Sequence, residues 1–339
     1  MAGQTDIERL HSAWRALGGG TQGDGWRTIP VAVAAPCQVL VGRRVPGDEE
    51  AVLVGFRLSS ARSFGPLPEG RGFRVERPEG QFLGGAHEWF SLFRQATGSL
   101  AMFATMAADV IALLEASGHV GDERLYQLFV GRIRAWQEFM EKGRDGVLGA
   151  EAEVGLFGEL LVLSRLLDVG VPAGVALDYW QGPMDAIQDF EIGPGAIEVK
   201  ATIAATGFPA TIGSLEQLDD AVRQPLFVAG VRLAVDDSGD RLPDLIAAVR
   251  LKVRGQIDST ALLDSRFLQV GYLDAFSDRY VRRFLHVRTR LLPVNADFPR
   301  LVRGGVLPAI TRARYVVDLD FVNSADVDLA AALKQLGVL

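Results

Sequence analysis

Asp185-Ala186-Ile187-Gln188-Asp189-Phe190-Glu191-Ile192-Gly193-Pro194-Gly195-Ala196-Ile197-Glu198-Val199-Lys200 is the stretch on which the fold turns. Gly193-Pro194-Gly195 predicts a turn between two short strands. In the second strand Ile197 and Val199 face one side and Glu198 and Lys200 the other, because strand side chains alternate. A hairpin centred near Pro194 sets Asp189 across from Glu198 or Val199. An Asp, a Glu and a Lys are then expected to project from adjacent strands into one small volume.

That set suits metal-assisted hydrolysis of a phosphodiester. Two carboxylates, Asp189 and Glu198, with the backbone carbonyl of Val199, are a donor set for Mg²⁺, with Mn²⁺ as a substitute, since hard cations prefer oxygen and keep some waters. The metal lowers the pKa of a bound water and stabilises charge on the phosphate. Lys200 would orient that water and offset developing negative charge. Glu159, on a preceding helix, would complete the site or hold a second metal. Taken alone, Glu-x-Lys reads first as a solvated strand face, and Glu159 equally as a solvent-facing or capping carboxylate near Gly155 and Gly158.

Working outward, Gly155-Leu-Phe-Gly158-Glu159-Leu160, Trp180-Gln-Gly182-Pro183, Asp189-Phe190, Ile197-Glu198-Val199-Lys200 and Ser214-Leu-Glu-Gln217-Leu218 follow in this order. Together they resemble the bacterial PD-(D/E)XK motif proteins, a family of the PD-(D/E)XK nuclease superfamily, most specifically over residues 150–220. The resemblance implies a restriction-endonuclease-like α/β (α+β) core: a helix over 151–167, a small mixed sheet over 176–202, a second helix over 213–221 and a last strand over 226–235. It makes Asp189 the Asp of the pattern, Glu198 its second acid, Lys200 its lysine, Glu159 the acid of the first helix and Gln217 a helical glutamine beside the site. Without the resemblance, Gln217 reads first as an ordinary structural residue. Gln188 stands where the family name has Pro. Asp185 is a rival ligand, and Asp189 is preferred because Asp185 lies at the strand's start, beyond reach of Glu198. The resemblance further implies a Mg²⁺-dependent DNA endonuclease of an anti-phage defence or restriction system, acting beside helicase and ATPase components. The alternative is a non-catalytic subunit that keeps the fold and binds nucleic acid or scaffolds an ATPase complex.

The rest of the chain sets bounds. Its 339 residues allow two or three domains, and 48% hydrophobic with 23% charged residues is the composition of a globular protein. A net charge of −7 excludes a histone-like basic coat, though not a local basic surface. One cysteine, Cys37, permits no intrachain disulfide and argues against structural zinc. No apolar run reaches the ~18 residues of a membrane helix, and the first residues do not form a secretory signal, so a cytoplasmic protein is expected. No phosphate-cradling GxxxxGK[ST] loop is present, and Gly18–Gly20 reads as a helix stop.

Four segments are expected. Residues 1–85 form a β-rich module with a helix over 5–17 and strands over 29–42, 51–57 and near 73–75. Residues 86–148 form a helical connector, with apolar spacing over 88–116 and 122–142 and a loop over 142–146. Residues 149–275 form the nuclease-like core, with a helix over 242–254 and a strand over 266–273. Residues 276–339 form an Arg-rich extension with strands over 284–294 and 313–322 and a helix over 327–336. Nine arginines and one acid lie between Arg279 and Arg314. Arg282, Arg283, Arg288 and Arg290 are the chosen DNA-phosphate contacts, with Arg288 and Arg290 sharing a strand face with His286. The same arginines equally read as partners of the chain's excess acids. A homodimer is expected if both strands are cut, since one site cuts one strand.

Overall fold

A computed structural model of the chain describes residues 4–19, 25–31, 37–58, 65–78, 86–142, 147–221 and 223–338. It forms two units. The first runs Met1–Gly146 with Gly271–Phe276, the second Val147–Val270 with Ser277–Leu339. Gly20, residues 32–36 and the loop residues 143–146 lie outside the described residues. Among the described residues no helix is long and apolar enough to cross a membrane.

The first unit is an antiparallel sheet with three helices. Its strands are β1 (Gly25–Val31), β2 (Gln38–Val45), β3 (Glu49–Phe56), β4 (Glu69–Gly70), β5 (Phe73–Glu76) and β6 (Glu88–Arg94), ordered β1-β2-β3-β6-β5-β4. The helices are α1 (Gln4–Leu17), α2 (Leu100–Ala116) and α3 (Asp122–Glu141). The expected strand over 29–42 is instead parts of two antiparallel strands, with Ile29 opposite Val41. The helix expected from residue 88 also gives way. Residues 88–94 are a strand between β3 and β5, with Phe90 opposite Val54 and Leu92 opposite both Val52 and Val75. A strand buried on both faces carries a nearly continuous apolar run, here Trp89-Phe90 and Leu92-Phe93 around a buried Ser91, which a helical template also fits. The helix proper begins after Ser99, whose hydroxyl accepts the Met102 N–H. Phe90 then packs on Tyr126 of α3, ring centroids 4.9 Å apart.

The second unit holds α4 (Ala150–Asp168), α5 (Ala173–Tyr179), β7 (Phe190–Ile192), β8 (Gly195–Thr202), β9 (Pro209–Ile212), β10 (Leu226–Asp240), α6 (Leu242–Val253), α7 (Ile257–Val270), β11 (Phe284–Pro293), β12 (Tyr315–Asp318) and α8 (Leu329–Gln335). Its central sheet is mixed, in the order β11-β10-β8-β7: β8 and β10 run parallel, and the other pairs are antiparallel. Helix α4 lies on one face, so close that a Cβ on Gly158 would come within 2.8 Å of the Ala201 Cβ. The other face is covered by a two-stranded sheet of β9 and β12. Phe208, Ala210, Ile212, Val317 and Leu319 there join Ala196, Val228 and Leu292 in one apolar core. The mixed α/β core expected from residues 150–235 is therefore present.

Three expected elements differ. Residues 176–179, at the start of the expected run of short strands, belong to helix α5. Residues 266–270, within the strand expected over 266–273, belong to helix α7. Leu263 and Phe267, one turn apart, are both buried, and Gly271 with φ +94 ends the helix. The helix expected over 213–221 is a series of turns. Its polar side chains bind their own backbone: Ser214 Oγ accepts the Glu216 N–H and Asp219 Oδ1 the Ala221 N–H. Such local bonds compete with the helical ladder.

Candidate active site

The site grows from the short β7–β8 hairpin. Ile192 pairs with Gly195 and Phe190 with Ile197, so Gly193 and Pro194 form the two-residue turn. Gly193 has φ +54, the left-handed geometry that the first position of such a turn requires. Strand β7 is only three residues long, so β8 runs on past its neighbour. Asp189, just before β7, takes over the ladder's role there: its Oδ2 accepts the Val199 N–H at 2.7 Å. Amide and carbonyl of one strand residue point to the same edge. The Val199 carbonyl therefore faces the edge that β7 leaves open.

Glu198 and Lys200 project from β8 on the face opposite α4. Glu198 is 1% exposed, and its Oε1 lies 2.6 Å from Lys200 Nζ. Its Oε2 is buried without a hydrogen-bond partner. Lys200 Nζ also donates to Gln217 Oε1 at 3.4 Å, and that oxygen is fixed by the Gly213 N–H at 2.7 Å. Glu159 comes from α4, and Trp180 Nε1 donates to its Oε2 at 2.7 Å. A Cβ built on Gly182 would lie 2.5 Å from Glu159 Oε2 and 3.1 Å from Asp189 Oδ1, which places the two carboxylates side by side. The N–H groups of Gln181 and Gly182 in turn hold the Asp189 carbonyl, at 2.8 and 3.0 Å. Glu159, Asp189, Glu198, Val199, Lys200 and Gln217 all line one cavity of about 480 Å³.

The electrostatics follow from burial. Glu198 is pushed up to about 8, first by burial and then by Asp189, against the pull of Lys200. Glu159 is raised well above the usual carboxylate range by burial and by Asp189, and the Trp180 N–H opposes this. Asp189 is raised by burial, opposed by the Val199 N–H and Lys200. Burial and mutual repulsion disfavour the ionised forms of these acids, and a cation bound among them would favour ionisation instead.

The donor set fits a hard divalent ion. Among the described residues no three His, Cys, Asp or Glu side chains gather tightly enough to hold a metal by themselves. The donors that would hold such an ion are instead Asp189, the unpartnered Oε2 of Glu198 and the Val199 carbonyl edge, with Glu159 beside them. All are oxygens, and so few protein ligands suit an ion that keeps several waters.

The chain matches, over residues 10–320, the model of the family described as "Putative PD-(D/E)XK family member, (DUF4420)". The chain belongs to this PD-(D/E)XK family. Its superfamily consists mostly of nucleases, and the mixed sheet is that of a nuclease-like fold. No curated protein and no solved structure matches the chain.

Within this PD-(D/E)XK protein the remaining candidates separate. Asp185 is exposed at the end of the 3-10 turn Gly182–Met184 and does not line the cavity. Arg282 does line it, but its guanidinium donates to Glu153 and to the Ala150 carbonyl. Arg283, Arg288 and Arg290 do not. Arg283 donates to the Gly239 carbonyl, Arg288 pairs with Asp320 and Arg290 with Asp326, each ion pair at 2.8 Å. The face expected to join His286 with Arg288 and Arg290 is broken. Leu233 pairs with His286 and Arg232 with Arg288, so Val287 is an extra residue that resets the alternation. His286 Nε2 lies 2.9 Å from Thr289 Oγ1 instead.

Two positions at the cavity or its supporting turn escaped sequence reasoning. Gln188, in the place of the pattern's Pro, is 4% exposed, and its amide donates to the carbonyls of Glu216 and Gln217. It thus pins the turn that presents Gln217. Arg314, one of the nine arginines, also lines the cavity, and nothing in its spacing sets it apart from the other eight.

Proposed function

We propose that this protein is a metal-dependent phosphodiesterase that cuts DNA. The observation that carries the reading is the convergence of Asp189, Glu198 and Lys200 on one cavity, with a Glu198 oxygen buried and unpartnered. Mg²⁺, with Mn²⁺ as a substitute, is the proposed cofactor, held by Asp189, Glu198 and the Val199 carbonyl, with Glu159 adjoining. When bound, the ion supplies an activated water and Lewis-acid stabilisation of the phosphate. Asp189 is aimed by the Val199 N–H and by the backbone clasp of residues 181–182. Lys200, steered by Gln217, gives its charge to the phosphate oxygen on which negative charge grows, and orients the attacking water. Resemblance to bacterial PD-(D/E)XK motif proteins supports a cytoplasmic role in phage defence or restriction, beside ATPase or helicase partners.

The test is cleavage of plasmid and linear DNA with Mg²⁺ or Mn²⁺ at low salt, wild type beside Lys200→Ala and Asp189→Ala. Cleavage by the wild type is expected to stop in EDTA and to fall at least about a hundredfold in each variant, the scale for losing one transition-state charge contact. A second reading rests on the 2.6 Å Lys200–Glu198 contact, in which the ammonium already neutralises a ligand carboxylate. In that reading the protein is a non-catalytic, nucleic-acid-binding or scaffolding subunit. Intact DNA together with no calorimetric Mn²⁺ binding would decide for it.

A further inference from the structure

We propose that Arg314 is a substrate-binding residue of this site, its guanidinium taking a backbone phosphate next to the phosphodiester held by the carboxylates and Lys200. The proposal rests on the nuclease reading and adds to it the residue that overcomes the site's own charge. With its acids ionised, a cavity lined by Glu159, Asp189 and Glu198 repels a polyanion, so binding needs positive charge that the protein has not already neutralised.

Three cations line the cavity: Lys200, Arg282 and Arg314. Lys200 is committed to Glu198 and Gln217. Arg282 is committed to Glu153, and its guanidinium lies over the Phe284 ring, 5.5 Å from the centroid. Arg314 is exposed and, among the described residues, makes no hydrogen bond or ion pair. Among its neighbours in the arginine-rich stretch, Arg312 is also exposed but does not line the cavity, and two others are paired. Arg300 pairs with Asp220 at 2.9 Å and Arg303 with Glu216 at 2.6 Å.

The register fixes where Arg314 enters. Tyr315 pairs with Ile212 at the start of β12, so the antiparallel ladder carried one step further sets Arg314 opposite Gly213. The Gly213 N–H holds the Gln217 oxygen that receives Lys200. Arg314 therefore stands on the cavity wall at the Lys200 end. A planar fork of donors there matches a phosphate, which guanidinium binds in bidentate fashion.

The experiment is fluorescence polarisation of a labelled duplex oligonucleotide, in EDTA and again in Ca²⁺, across a salt series. Wild type is compared with Arg314→Ala, Arg314→Lys and Arg254→Ala. Arg254 caps α6, is exposed, and does not line the cavity, so it controls for loss of one positive charge. Arg314→Ala is expected to weaken binding about tenfold and to lower the slope of log affinity against log salt by about one, with Arg314→Lys between and Arg254→Ala unchanged. Unaltered melting temperatures check that each variant folds. Equal affinity and slope for wild type and Arg314→Ala overturns the proposal, as does an equal loss in Arg254→Ala or no wild-type binding in either buffer. DNA that is bound through Arg314 but never cut with Mg²⁺ would sink the nuclease reading alone. DNA cut and bound by Arg314→Ala as by wild type would sink the Arg314 assignment alone.

Discussion

Glu198 shares one carboxylate oxygen with Lys200 and buries the other without a partner, beside Asp189 and near Glu159. The thermodynamic consequence has a definite sign. Its folded-state pKa, about 8, lies above the ordinary value near 4.5, so between those limits the folded chain holds a proton that the unfolded chain releases. Stability contributed by that proton is present at low pH and is lost as pH rises through the window. Glu159 and Asp189 are raised too and act in the same direction. Metal-free protein is therefore expected to melt at progressively lower temperature from about pH 5 to pH 8, with a flatter dependence in Glu198→Gln. Mn²⁺ competes with those protons, so its stabilising effect should be larger at pH 8 than at pH 6. Melting curves in EDTA and in Mn²⁺ across this range measure both, and identical pH slopes for wild type and Glu198→Gln would refute the argument.

At the scale of elements, the site depends on how closely α4 approaches β8. Gly158 sits at that crossing, and the Ala201 Cβ that a new methyl would meet at 2.8 Å has no freedom to swing aside. Gly158→Ala must lift the helix and with it Glu159, the next residue. Overpacking of this kind costs about 1–3 kcal/mol, and DNA cleavage should fall with it. Ala201→Gly opens the same space from the strand side, so the double variant is expected to recover much of the stability. Denaturant titration of the four proteins in the cycle reads the coupling, and simple additivity would show that the contact is not what sets the spacing. The same elements show what could be read from sequence. The hairpin was legible because Gly193-Pro194-Gly195 and the alternation around Glu198 are local signals. Strand β6 was not, because its neighbours β3 and β5 are distant in sequence and bury both of its faces. Helix α7 was missed at its end, where Arg266-Phe267-Leu268-Gln269-Val270 reads as an apolar strand until Leu263 is seen one turn earlier on the buried side. The turns of 213–221 were missed because the donor that captures their carbonyls, Gln188, lies some thirty residues upstream. Asp189, Glu198 and Lys200 meet at one cavity because their spacing is local to the hairpin, while the partner of each arginine is set by tertiary structure.

At the scale of the whole molecule, the chain's acidic balance and its arginine-rich stretch are two sides of one arrangement. Arg282, Arg288, Arg290, Arg300 and Arg303 are each matched by an acid of the same unit, so these five form ion pairs, whereas Arg314 stays exposed at the cavity. The C-terminal segment is built into the same unit. Leu333 and Leu336 of its last turns are fully buried, and the Leu336 carbonyl oxygen lies where a Cβ on Gly193 would be, directly against the β7–β8 turn. Helix α8 thus braces the hairpin that spaces Asp189 from Glu198, although it lies beyond the residues matched by the family model. A chain ending at Ser324 loses these contacts, about 1.5–3 kcal/mol for each buried leucine. Each unit has its own sheet and helices, so calorimetry is expected to resolve two transitions. The truncation should lower the second unit's transition by about 10 °C and leave the first in place. Mn²⁺ should raise only the second unit's transition in the full chain, and should have lost most of that effect in the truncated one. A truncated protein that melts and responds to Mn²⁺ like the full chain would show that the hairpin holds its geometry without α8.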